Sequence, residues 1–104
     1  MNMKPVTTRV AWTDQHVAEL LLTYGYFLQC QRTSVKYSKA QSVRDLAASQ
    51  GRSKASVEAK MMNVSAVLQS LGVDWVTGYK PLSNYNKALL DQVTDFHAQS
   101  IKSA

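Results

Sequence analysis

The sequence predicts an all-α chain of four helices. Three observations carry that expectation. Apolar residues recur at steps of three and four in several segments, no segment shows the sustained alternation of a strand, and Ser, Thr and Gly stand where helices would begin and end.

Length and composition bound the rest. At 104 residues the chain fits one domain, long enough to bury roughly 65% of its unfolded surface around one core. One cysteine, Cys30, excludes an intramolecular disulfide, and no apolar signal core follows Met1, so a reducing, cytoplasmic setting is expected. The longest apolar run, Val17 to Leu22, is broken by Glu19 and too short to span a bilayer, so no membrane partner is expected.

Residues 1–10, with Pro5 and no apolar period, read as a flexible basic arm carrying Lys4 and Arg9, ahead of a single domain over 11–104. Thr13 suits an N-cap and Asp14 the positive end of a helix dipole. Val17, Leu20, Leu21, Tyr24, Phe27 and Leu28 then form one stripe, predicting a first helix over about 14–31. Gly25 interrupts it at a cost in propensity and marks a place where another element packs closely. A polar, basic loop follows from Arg32 to Gln41. Ser42 is the expected cap of a short second helix over about 42–49, buried through Val43, Leu46 and Ala47 and ended by Gly51. Ser53 caps a third helix over about 54–71, whose stripe is Val57, Met61, Val64, Leu68 and Leu71, with Gly72 as its left-handed terminator. The stretch Val73 to Ser83 reads as a connector pinned by aromatic side chains, and a fourth helix is expected over about 85–101 on Leu89, Val93 and Phe96.

Charge is where the sequence turns toward function. Between Arg32 and Lys60 lie seven basic and two acidic residues, an excess equal to the whole net charge of +5. A localised positive surface favours a polyanion, nucleic acid first, although a basic solvated face is common.

The second and third helices are separated by Gln50-Gly51-Arg52, a connection short enough to force a steep angle. Ala47 is small where the helices cross, Gly51 accepts a positive φ, and Val57 fills the angle. VRDLAASQGRSKASVEAKM therefore resembles the helix-turn-helix segments of DNA-binding proteins. Opposite its buried stripe the third helix is expected to expose Ala55, Ala59, Met62 and Ala66, small enough for entry into a major groove. Around that face the candidate DNA contacts are Arg52, Ser53, Lys54, Ser56, Glu58, Lys60 and Asn63. Ser53 and Ser56 would meet a phosphate, Arg52, Lys54 and Lys60 would neutralise charge, Asn63 would read an adenine, and Glu58 a cytosine amine. Arg44, Lys36, Lys39 and Lys80 are further candidate contacts to DNA. Each has a plainer reading: Ser53 as a cap, Asn63 as a bond to a loop, the lysines as solvated surface.

The likeness extends further. Trp12-Thr13 opening an apolar helix, a basic loop, GRSKASVEAKMMNVSAVL and GYKPLSNYNKAL together resemble the helical domain that precedes the HNH nuclease domain in many bacterial HNH endonucleases, and more distantly Myb/SANT-type domains. The resemblance implies a DNA-binding module of a phage or mobile-element type protein, serving regulation, replication or nuclease targeting. It does not imply nuclease chemistry, since His16 and His97 are the only histidines and no ββα unit is predicted. Neither a metal site nor a nucleotide loop is legible, so no enzyme activity, cofactor or small-molecule substrate is expected. The expected partners are double-stranded DNA and a second copy of the chain, with the final helix as the interface. Two alternatives stay open: a small protein-interaction module or inhibitor docking on a host protein, and RNA binding through the tyrosine-bearing connector.

Overall fold

The computed structural model describes residues 10–103, and within them the chain is all-helical: α1 Asp14–Thr33, α2 Lys39–Gln50, α3 Lys54–Ser70 and α4 Lys87–Ser103. Of the arm expected over 1–10, residues 1–9 lie outside the described residues.

Each boundary has a local cause. Thr13 Oγ1 accepts the His16 amide at 3.0 Å and starts α1. The helix runs two residues past its expected end because Ser34, at φ 58°, takes the left-handed position and lets the Val35 amide reach the Cys30 carbonyl at 2.9 Å. The expected cap of α2, Ser42, is corrected to Ser38, whose hydroxyl accepts the Gln41 amide at 3.2 Å. Either serine has the chemistry of a cap. The earlier start puts Lys39 on the helix, where its ammonium donates to the Thr77 carbonyl at 2.6 Å and lies 5.0 Å from the Tyr79 ring centre. Gly51 (φ 66°) and Gly72 (φ 74°) are the left-handed residues after α2 and α3, as their positions in the sequence predict. Asn86 Oδ1 accepts the Leu89 amide at 3.0 Å and opens α4 two residues later than expected.

The core is built on α1 and α3. Leu20, Tyr24 and Phe27 from α1 meet Val57, Met61 and Val64 from α3, all essentially without solvent contact, and Val43, Leu89 and Val93 seal the sides. Leu71, expected to extend the α3 stripe, sits past the helix end and is exposed. Among the described residues α1 and α3 touch every other helix, whereas α2 and α4 do not meet, so they flank the central pair on separate sides. At Gly25 a side chain of α4 packs close on α1, since a Cβ there would lie 2.9 Å from Phe96 Cζ.

The connector is held by polar groups as well as by aromatics. Tyr24 Oη lies 2.8 Å from Ser65 Oγ and accepts the Val76 amide at 2.9 Å, all three residues being buried. Gln31 adds a second clasp, donating to the Trp75 carbonyl at 3.1 Å and accepting the Thr77 amide at 2.8 Å. Burial outweighs these hydrogen bonds at the Tyr24 phenol and raises its pKa above the ordinary value. Tyr24→Phe strips the Val76 amide and the Ser65 hydroxyl of a partner inside the core, with an expected loss of about 1–3 kcal/mol. Chemical denaturation checks this, and protection of the Val76 amide from hydrogen exchange should fall in parallel.

Candidate nucleic-acid interface

The α2–α3 turn sets the geometry of the candidate interface. Gly51 leaves α2 in the left-handed conformation, the Arg52 amide closes back on the Ala47 carbonyl at 3.0 Å, and Ser53 Oγ accepts the Ser56 amide at 3.1 Å to begin α3. Ser53 is thus a helix cap whose residue stays exposed.

Arg52 is not presented to solvent. Its guanidinium lies 3.6 Å from the centre of the Trp12 ring and donates to the carbonyls of Val10 (3.0 Å) and Ala11 (3.1 Å). Nε donates to Gln50 Oε1 at 2.9 Å, and Nη2 donates to His16 Nδ1 at 2.8 Å. The sequence assigned it to phosphate. In the structure four of its five N–H donors go to the chain instead, and the residue is 9% exposed. Gln50 is drawn in with it, donating to the His16 carbonyl and to Glu19 Oε1, both at 3.0 Å. Hydrogen bonds from Gln50 and Gln15 hold the Glu19 carboxyl below the usual carboxylate range.

Asn63 is engaged in the same way. It is buried, and Nδ2 donates to the Leu82 carbonyl at 2.6 Å and to Asn84 Oδ1 at 3.1 Å, while the Leu82 amide donates to the Met62 carbonyl at 3.0 Å. The chain over 82–84 therefore lies along α3, and Ala66, expected on the exposed face, is buried too. What remains open is the first half of the helix. Ala55 and Glu58 are exposed there, with Ala59 and Met62 half-buried beside them.

The other candidates divide by exposure. Lys54, Arg44, Lys36 and Lys80 are exposed, on the first turn of α3, on α2, on the α1–α2 loop and on the connector. Arg44 donates to Gln41 Oε1 at 2.8 Å. Lys39 is engaged by Thr77 and Tyr79, and the Tyr79 phenol is pushed up to about 12 by burial first and by Glu58 second. Lys60 and Ser56 are half-buried, with the Lys60 ammonium 5.2 Å from the Trp12 ring centre. Burial, and then the neighbouring Arg52 charge, lowers the pKa of Lys60.

Comparison with family models, curated proteins and solved structures gave no match.

The start of α3 therefore brings together Ser53, Lys54, Ser56 and Lys60, with the Arg52 charge behind them, while Asn63 belongs to the far, covered half. Trp12 is the member that sequence reasoning missed as a site residue. Its one signal is local: a tryptophan just before an N-cap lies outside the helical stripe and needs some other surface to cover it. Among the described residues no group of three or more His, Cys, Asp or Glu side chains is placed to hold a metal ion. Cys30 is buried in α1, and none of the helices is long and apolar enough to cross a membrane among the residues described.

Elsewhere α1 and α4 enclose an open groove of about 570 Å³, with Ala18, Leu21, Leu22 and Phe96 supplying apolar walls and Asp14 and Asp95 the carboxylates. Leu22 is 68% exposed there, and Ile101 farther along α4 is 63% exposed.

Proposed function

We propose that this chain is a non-enzymatic, sequence-specific double-stranded DNA-binding module of the helix-turn-helix kind, placing the first two turns of α3 in the major groove. The observation that carries the reading is the start of α3. A short glycine-led turn delivers a helix whose open side is small at exposed Ala55 and half-buried Ala59 and edged by exposed Ser53 and Lys54 and half-buried Ser56 and Lys60. Small side chains permit close approach to bases, and hydroxyl and ammonium donors suit phosphate oxygens.

On this reading Ala55 and Glu58 face the bases, Glu58 accepting from a cytosine amine, Lys54 meets phosphate, and Asn63 and Arg52 serve as supports. Arg44, Lys36 and Lys80 add phosphate contacts. If the resemblance to the helical domain of HNH endonucleases holds, such a module belongs to a phage or mobile-element protein of the cytoplasm. One short recognition helix reads few base pairs, so a homodimer joined through the α1–α4 face, where Leu22 and Ile101 are exposed, completes the site. That same groove favours the second reading, a protein-interaction module whose occupant is a different chain.

A salt titration against a randomised duplex pool, with the bound fraction sequenced, tests the proposal. Specific binding should enrich a repeated or palindromic half-site. Lys54→Glu should weaken binding to all sequences alike and lower the slope of log K against log salt by about 1 or more. Absence of binding at low salt would leave the protein-interaction reading.

A further inference from the structure

Among the described residues the positive charge at the turn makes no ion pair, and Glu19 reaches Arg52 only through the Gln50 amide. Arg52 is buried, yet each acceptor it meets is neutral: two backbone carbonyls, the Gln50 amide oxygen and an imidazole nitrogen. Lys60 shares the Trp12 ring with it, half-buried, and among the described residues its ammonium has no hydrogen-bond acceptor. The single ion pair among those residues is elsewhere, between Lys87 and Asp91.

Two cations on one indole, partly removed from water, repel each other more than they would in bulk solvent, and folded chains usually relieve this with a carboxylate. Here the ring offers each cation its π face but supplies no acceptor for the Lys60 N–H groups. Ser56 stands four residues ahead of Lys60 on the same strip of α3, half-buried, its hydroxyl unpartnered among the described residues. At that spacing the ammonium and the hydroxyl are neighbours on the helix surface and offer several donors to one bridging anion. That suits an anion with several acceptor oxygens better than a halide.

We infer that Lys60 and Ser56, backed by Arg52 and Trp12, form a site for one phosphate-type oxyanion, filled in the complex by a phosphodiester of the nucleic-acid backbone. This rests on the DNA-binding reading for the source of the anion, but not for the site itself. Arg52 contributes mainly through its fixed charge, because four of its five N–H donors are spent on the chain. Trp12 holds both cations in place, and its emission reports on them.

The test uses the full chain with Trp75→Phe, which leaves Trp12 as the single tryptophan. Inorganic phosphate should change the Trp12 emission saturably, and sodium chloride at equal ionic strength should not. The response should vanish in Lys60→Met, survive in Lys60→Arg, and be unchanged in Lys87→Met, which alters the remote ion pair. In the native chain the Lys60 side-chain nitrogen resonance should shift with phosphate, a readout that holds even if Lys60→Met folds poorly. With duplex DNA, Lys60→Met should lower the salt slope by about 1. A phosphate response without duplex binding would keep the site and remove the DNA reading. An emission change that chloride reproduces, or a Lys60 resonance indifferent to phosphate, would overturn the site.

Discussion

Phe27→Ala is expected to destabilise the fold by about 3–5 kcal/mol, a large share of the roughly 5–15 kcal/mol that holds a domain of this kind together. The ring has no solvent contact, so its removal loses both transfer energy and packing, and the helices around it cannot close the gap. It also joins two segments that have no regular structure of their own. Tyr37 of the α1–α2 loop stacks on it at 5.3 Å between ring centres, and Tyr79 of the connector at 6.4 Å. Urea unfolding should show a lower midpoint at unchanged slope, with the near-ultraviolet circular dichroism of the tyrosines lost in the same transition as the helices. A midpoint within error of the parent protein would mean that the core does not depend on this ring.

Arg52→Ala is the second large effect, with an expected loss of about 3 kcal/mol. A hydrogen bond from a charged donor is worth about 1.5–3 kcal/mol, and Arg52 makes four such contacts while covering the Trp12 ring. The contributions do not add, because the acceptors lie together and the Val10 and Ala11 carbonyls regain water once released. Arg52→Lys should recover little, since a point charge on a flexible stem cannot reproduce a planar fork that meets four acceptors. Thermal denaturation separates this role from a phosphate contact. For a mere phosphate contact, both variants would melt like the parent, and the lysine would preserve most of the binding.

The contrast between these two residues shows what was legible in the sequence. Phe27 announces itself by period: it falls on the same stripe as Leu20 and Tyr24, and a stripe has only one buried side. The cap at Ser53 and the glycines at 51 and 72 are equally local, because the turn conformations they adopt depend on the residue itself. Arg52 and Asn63 are not local. Both are polar residues whose partners come from distant segments, residues 10–16 in one case and 82–84 in the other, apart from Gln50 beside Arg52. Residue type and spacing cannot reveal that a passing backbone will present carbonyls to them. Ser38 and Ser42 show the same limit on a smaller scale, since a contact between Lys39 and the connector favours one of two chemically equivalent starts.

The separation of α2 from α4 has a consequence for how the molecule tolerates change. Effects of substitutions at sites that share no partner add, and among the described residues these two helices have no direct contact. The surface around Leu22 and Ile101 can therefore be rebuilt for a new assembly while the turn at Gly51 keeps its geometry, and the turn can acquire new contacts without altering how copies associate. The two ends of the molecule are free to diversify at different rates.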